Sequence, residues 1–186
     1  MKKLLWMSLI AIFPLSQLVA QESTFEKGSS VLNLGIGLGN NYYSGSFYST
    51  QVPPISASYE VGIADNILEK GVIGIGGYFG YSSYKWHYLG WGWRYSNLVI
   101  GARGTFHYPL VNKLDTYGGL LLGYNIVTAK EFGNSVPGYS YSASASRIAY
   151  SLFIGGRYYF TDKFAVMAEL GYGITYLNLG VALKFK

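Results

Sequence analysis

The sequence predicts an all-β fold, an eight-stranded antiparallel up-and-down β-barrel that spans a membrane. Three observations lead to this prediction. Charged residues make up only 12% of the 186-residue chain and aromatic residues 18%, whereas soluble domains average about 25% charged residues. Large apolar residues alternate with small or polar ones at period two along most of the chain, which is typical of β-strands. All 25 glycines lie at or after Gly28, so the preceding residues form a compositionally separate segment.

That first segment, Met1–Ala20, has the features of a cleaved secretory signal peptide. Two lysines follow the initial methionine, an almost wholly apolar run comes next, and Ala20 supplies a small residue at the expected cleavage point. The apolar run is shorter than the roughly 20 residues that a spanning helix needs. We therefore expect export, with residues 21–186 forming a single barrel domain.

Eight later segments each place large apolar side chains on one face and Gly, Ser, Asn or an isolated charge on the other. They lie at residues 30–39, 55–64, 73–82, 97–108, 119–126, 147–160, 166–174 and 177–185. In the first of them, Leu32 and Leu34 share the face opposite Asn33. Most segments are close to the roughly 9–11 residues of a tilted transmembrane strand. Lipid favours an apolar exterior and offers no hydrogen bonds, so every backbone group must be paired within the sheet. The pattern therefore predicts a closed barrel.

The connections between these segments alternate in length. Long ones at residues 40–53, 83–93 and 127–146 alternate with short ones at residues 65–71, 109–114 and 161–163. Bacterial barrels have short periplasmic turns and longer outer loops, so both chain ends are predicted at the periplasmic end. We expect the protein in the outer membrane of a Gram-negative bacterium.

The stretch ELGYGITYLNLGVALKF at residues 169–185 resembles the closing hairpin of small outer-membrane β-barrel proteins of Bacteroidota, and KLDTYGGLLLGY at residues 113–124 is similar to that family too. The resemblance implies an eight-stranded barrel like OmpX and the OmpA membrane domain. We expect as partners outer-membrane lipid and lipopolysaccharide, with periplasmic chaperones and the barrel-assembly machinery during insertion, and we expect a monomer. One departure is the final Lys186, because many such barrels end on an aromatic residue, which here is the penultimate Phe185.

Charged residues also occur on the inward face of the predicted strands. They are Glu60, Arg103, Arg157, Glu169 and Lys184. Eight strands leave an interior just wide enough for side chains to fill it. We therefore expect the first four to form a buried ion-pair network that plugs the lumen, with Arg157 and Glu169 close together on adjacent strands. An ion or proton path, or a catalytic carboxylate pair, is the alternative.

The chain has two histidines as candidates for catalysis. His107 faces inward near a short turn, and His87 lies in a predicted outer loop that contains no acidic residue. Barrels that modify lipid A use a histidine beside a serine, with a carboxylate that orients the imidazole. We expect no enzyme, no cofactor and no metal site, with a lipid A-modifying enzyme resting on His87 as an alternative. Without a cluster of Lys and Arg, nucleic-acid binding is not expected either.

Residues 84–95 contain three of the four tryptophans and belong to the second predicted outer loop. Trp86, Tyr88 and Trp91 form either an interfacial aromatic girdle or a recognition site for sugars, lipopolysaccharide or a partner protein. In the second case Lys85 and Arg94 supply charge to phosphates. The sequence thus predicts a lipid-embedded scaffold with a structural or surface-interaction role, and a narrow pore for ions or small solutes is an alternative.

Overall fold

The computed structural model describes residues 24–39, 46–88, 90–133 and 141–186. Its strands are β1 (Ser30–Leu38), β2 (Tyr48–Ile67), β3 (Gly71–Tyr88), β4 (Trp91–Val111), β5 (Leu114–Phe132), β6 (Ser142–Tyr159), β7 (Phe164–Tyr172) and β8 (Leu177–Lys184). All neighbours are antiparallel, and β8 pairs with β1 to close a barrel in chain order. The predicted eight-stranded up-and-down barrel is confirmed. The predicted signal peptide, Met1–Ala20, lies outside the described residues.

The alternation in the sequence becomes the two faces of the barrel wall. Leu34, Ile75 and Leu122 point outward and are 44%, 51% and 59% exposed, whereas Asn33 points inward and is buried. On β4 the outward apolar side chains run from Leu98 to Tyr108. At about 3.4 Å per residue and a tilt near 40°, this run spans about 26 Å along the barrel axis. The exposed belt is therefore as tall as the hydrocarbon-facing band of outer-membrane barrels.

No helix in the described ranges is long and apolar enough to cross a membrane.

Five neighbouring strands continue far beyond the rim that the other three define. β2 to β6 have 18 to 21 residues, whereas β1, β7 and β8 have 8 or 9. The rim follows the row of paired residues that begins at Ile55 on β2 and passes through Tyr81, Leu98, Ile126 and Ser146. We call the part above this row the outer sheet. It comprises residues 48–54, 82–88, 91–97, 127–132 and 142–145.

The prediction of an outer loop at residues 83–93 is therefore wrong. β3 and β4 stay paired through Lys85 with Arg94 and up to Tyr88 with Trp91. Trp86, Tyr88 and Trp91 consequently lie on strands instead of in a loop. The cause is a reversal of polarity above the rim, where aromatic side chains take the inner face and polar ones the outer face. The alternation continues, but it no longer matches the lipid-facing pattern.

Inside the barrel, two apolar clusters are stacked along the axis. The first, near the short turns, consists of Phe25, Val31, Val72, Tyr159, Ala165 and Ala182. The second consists of Val99, Tyr117, Leu121, Ala149, Phe153 and Ile174. Charged side chains fill the space between and beside them, because the inward face of the strands carries them there.

Candidate functional site

The lumen holds three acidic and three basic side chains that form two groups of ion pairs, which we call the lumen network. They are Glu60, Asp115, Glu169, Arg103, His107 and Arg157, and none is more than 7% exposed. Arg157 bridges two acids, with Nη2 at 2.7 Å from Glu60 Oε2 and Nη1 at 3.0 Å from Asp115 Oδ2. Arg103 Nη2 lies 2.6 Å from Glu169 Oε1. These contacts join β2, β4, β5, β6 and β7 across the barrel interior.

All four sequence-predicted lumen residues belong to this network, but one expected pairing does not form. Arg157 stands opposite Met167 in the β6–β7 register, and Glu169 stands opposite Gly155. Arg157 instead reaches Glu60 on the far wall. An eight-stranded lumen is narrow enough for such contacts across it. The fifth inward charge, Lys184, bonds the Thr24 carbonyl at 3.0 Å and stays apart from the network.

His107 and Asp115 are members of the network that the sequence analysis did not select. Nδ1 of His107 lies 2.7 Å from Asp115 Oδ1, and Nε2 contacts Glu60 Oε1. Because an ionised carboxylate only accepts hydrogen bonds, two ionised acids here would pair with a ring that donates from both nitrogens. The imidazolium then gives three positive charges against three carboxylates. The sequence contained a signal for His107, because His107 and Arg103 both occupy odd-numbered positions of one strand and therefore face the same side of the wall.

Neutral side chains complete the hydrogen bonding of the acids. Thr105 Oγ1 donates to Glu60 Oε1 at 2.7 Å, Tyr117 donates to Glu169 Oε1 at 2.9 Å, and Asn178 donates to Glu169 Oε2 at 3.3 Å. Each carboxylate oxygen of the three acids thus has at least one donor. Buried charge is tolerated only under that condition, because an unpaired ion in the interior is strongly destabilising.

The chain's own N-terminal segment closes the short-turn end of the lumen. The Phe25 ring is 1% exposed and stacks on His107 with 4.0 Å between ring centres. Backbone bonds of 2.9 Å hold the segment to β2, from Gly28 N to Gly62 O and from Gly62 N to Ser29 O. A side chain at position 62 would collide with the Glu26 carbonyl, so glycine is required for this approach. We call residues 24–29 the N-terminal cap.

Two small cavities lie in the lumen. A cavity beside Arg103 and Glu169 has a volume of about 20 Å³, and another beside Tyr78 and Asn97 has about 10 Å³. A water molecule needs about 10–15 Å³ of such volume. Each of these two cavities therefore has room for about one water molecule.

The lumen also contains a hydroxyl, an imidazole and a carboxylate in series. Thr105 Oγ1 lies 3.0 Å from His107 Nε2, and the other ring nitrogen faces Asp115. Thr105 is 5% exposed and its hydroxyl donates to Glu60. A substrate cannot reach it without expelling the N-terminal cap. No group of three or more His, Cys, Asp or Glu in the described ranges is arranged to hold a metal ion.

The inner face of the outer sheet is aromatic. It carries Tyr48, Tyr84, Trp86, Tyr88, Trp91, Trp93 and Tyr95. Trp91 packs edge-on against Trp86 at 5.8 Å and against Trp93 at 6.4 Å between ring centres. Its indole nitrogen donates to Glu131 at 2.5 Å. The predicted recognition residues are thus largely packed on one another, with Tyr88 as the exposed member, at 53%.

Comparisons with solved structures show similar proteins at low identity. Ail, the attachment invasion locus protein of Yersinia pestis, is 15% identical over 85% of this chain and 95% of its own, with a TM-score of 0.48. The N-terminal β-barrel domain of Pseudomonas aeruginosa OprF is 14% identical over 86% of this chain and 98% of its own, with a TM-score of 0.45. No protein-family model and no curated protein matches the chain. At these identities and scores no function is transferred, so function rests on this chain's own residues.

Proposed function

We propose that the protein is a non-enzymatic barrel of the bacterial outer membrane with a closed lumen and an outer sheet that serves as an interaction surface. The observation that carries the proposal is the combination of an exposed apolar belt about 26 Å tall with buried ion pairs inside. A soluble protein would place these two sets of residues the other way round. Lipid outside and a filled interior account for both.

We further propose that the protein is an OmpX-type barrel of Bacteroidota, which the closing hairpin resembles. In this proposal the protein is exported through the periplasm and inserted by the barrel-assembly machinery. Lipopolysaccharide is then the lipid that surrounds the outer end of the belt. A closed lumen favours the interaction role over a pore.

The edges of the outer sheet support the interaction role. On β6, pairing with β7 begins only at Leu152, so residues 142–146 form an edge strand within the described part of the chain. Such an edge offers backbone groups to an added strand. The opposite edge, on β2, carries Pro53 and Pro54, and proline blocks strand addition. One edge of the sheet is therefore open and the other is protected.

Single cysteines test the placement, because the chain has none of its own. Ser144→Cys lies on the outer sheet, Leu122→Cys in the apolar belt and Lys70→Cys in a short turn. In intact cells a membrane-impermeant maleimide should label only Ser144→Cys. Permeabilising the outer membrane should add Lys70→Cys, and Leu122→Cys should stay slow in both cases. Equal labelling of Leu122→Cys and Ser144→Cys in intact cells would show that the belt faces water and would overturn the proposal.

A further inference from the structure

We propose that Lys85, Arg94 and Lys130 form a binding site for the phosphate groups of lipopolysaccharide, on the outward face of the outer sheet just above the apolar belt. The inference deepens the proposed function and rests on it, since it needs the barrel to lie in the outer membrane. Its starting point is the register of three neighbouring strands.

That register places the three cations in one row. Lys85 on β3 stands opposite Arg94 on β4, and Arg94 stands opposite Lys130 on β5. Side chains opposite each other on one face of a sheet are about 5 Å apart at Cβ. The pairing has no irregularity between the row and the lumen, so Arg94 keeps the parity of Ile100, which is 51% exposed on the lipid face. All three cations therefore point outward.

Within the described ranges, none of the ion pairs involves this row. The only acidic residue in the outer sheet or in the segments next to it is Glu131, which lies on the inner face and accepts from Trp91. Like charges directly opposite each other destabilise a sheet. An anion from outside the chain would relieve this repulsion, and phosphate suits a cluster of Lys and Arg donors.

The contacts that hold these cations in position leave their charged groups available to a ligand. Lys85 Nζ lies 4.0 Å from the centre of the Phe132 ring, a cation–π contact that leaves the ammonium hydrogens available. Gly92 on β4 makes room for that ring, since a side chain there would meet it. Arg94 and Lys130 are exposed.

The height of the row selects a membrane lipid as the source of phosphate. Arg94 is four residues beyond Leu98, the last apolar residue of the belt on β4, or about 10 Å along the axis. Polar headgroups occupy roughly 5–8 Å beyond the hydrocarbon on each side, and flexible Lys and Arg side chains extend toward them. The hydroxyls between row and belt are engaged within the protein, since Ser83 donates to the Tyr95 carbonyl and Ser96 accepts from the Tyr81 hydroxyl. The three cations on the lipid-facing side are therefore the groups that suit a phosphorylated lipid headgroup.

The test compares two charge-matched triple variants of the full mature barrel in zwitterionic micelles, titrated with purified lipopolysaccharide. In the first variant Lys85, Arg94 and Lys130 become Gln. In the second, Lys70, Lys113 and Lys163 become Gln, which removes the same charge at the short-turn end. Each basic residue near an anionic surface contributes about fivefold in affinity. The first variant should bind roughly 100-fold more weakly than wild type, and the second should bind like wild type.

Two further arms identify the ligand. Enzymatically dephosphorylated lipopolysaccharide should bind wild type as weakly as intact lipopolysaccharide binds the first variant. Inorganic phosphate at the same phosphate concentration should not compete. Equal weakening of binding in both triple variants would mean that overall charge explains the effect. Undiminished binding of the dephosphorylated lipid would show that phosphate is not recognised. Full competition by inorganic phosphate would show that the site binds free phosphate. Each result overturns the proposal.

A charge-retaining triple variant controls for a folding defect caused by the substitutions. It combines Lys85→Arg, Arg94→Lys and Lys130→Arg, and it should bind like wild type. Loss of binding in that variant, with the barrel intact, would show that the cations act structurally. Maleimide labelling of Ser144→Cys and Leu122→Cys reports the proposed membrane placement independently. A failure of this site is therefore distinguishable from a failure of the proposed function.

Discussion

At the scale of single residues, the lumen shows how an apolar-coated barrel stabilises charge at its centre. Burying Glu60 or Glu169 is costly unless donors replace the lost water. Here two arginines, an imidazole, two hydroxyls and an amide supply them. The aromatic rings contribute as well, since Arg103 lies 4.3 Å above Phe153 and Arg157 lies 4.5 Å above Tyr117. The network is therefore strongly interdependent.

Removal of one acid tests that interdependence. In Glu169→Ala, Arg103 loses its carboxylate, and breaking a buried ion pair costs about 3–5 kcal/mol. We expect a clearly lower unfolding temperature in detergent. Asp162→Ala in an exposed turn is the matched control and should change it little. An unchanged unfolding temperature for Glu169→Ala, together with altered conductance, would instead place Glu169 on an ion path.

At the scale of elements, the barrel carries two additions with different physics. The N-terminal cap is part of the barrel core, because Phe25 is buried against His107 and belongs to the first apolar cluster. The outer sheet extends beyond the apolar belt and is stabilised by its own aromatic packing around Trp91. The two elements should therefore respond differently to truncation of their rings.

Truncating the cap residue should destabilise the whole barrel. Phe25→Ala removes a buried ring, a change that costs about 3–5 kcal/mol in protein cores, and it exposes His107. The unfolding temperature should fall, and a reporter cysteine placed at the buried position Ala182→Cys should become reactive toward a small maleimide only when Phe25→Ala is also present. Phe185→Ala, at a position 60% exposed on the outside, is the control. If Ala182→Cys stays unreactive in the Phe25→Ala background, the cap does not seal the lumen.

Truncating the outer sheet should leave the barrel intact. The double variant Trp86→Ala, Trp91→Ala loses the edge-on ring contacts and the bond to Glu131. We expect faster proteolysis within residues 84–95 and an unchanged barrel unfolding temperature, because regions of lower stability open locally. A large drop in that temperature would mean that the sheet and barrel unfold as one unit. Unchanged proteolysis would show that these rings do not stabilise the sheet.

At the scale of the whole molecule, the barrel combines a lipid-matched exterior with a filled interior. Lumen cavities of about 20 and 10 Å³ lie far below the size of a water-filled passage. Charge is segregated along the axis too. The outer sheet has cations on its outward face and its one acid, Glu131, on the inner face. The molecule thus combines buried ion pairs inside the barrel with a chemically distinct sheet at one end.

The proposed closed lumen predicts that the protein conducts no ions. Refolded protein inserted into planar bilayers should give no resolvable current steps, because ion passage would require breaking the paired charges of the lumen. Labelling of Ser144→Cys in the same preparation verifies insertion. Regular current steps from the wild-type chain, at a level above the bare bilayer, would favour the narrow pore.

Much of the fold was predictable because a strand has only two faces. Period-two alternation assigns each residue to one of them, so strand number, lipid face and lumen face follow from the order of residues. The lumen residues Glu60, Arg103, Arg157 and Glu169 were found in this way. The outer sheet had a signal as well, in the alternation from Tyr84 through Lys85, Trp86 and His87 to Tyr88. Its reversed polarity disguised it as a loop.

The sequence by itself determined which side of the wall each residue faces, since that depends only on odd or even position along a strand. Only the tertiary structure decided which charges meet. Closing a barrel staggers its strands, and the stagger, not sequence spacing, brings Arg157 to Glu60 and seats Phe25 on His107. The same closure sets where β1, β7 and β8 stop pairing, and therefore where the outer sheet and its row of cations begin.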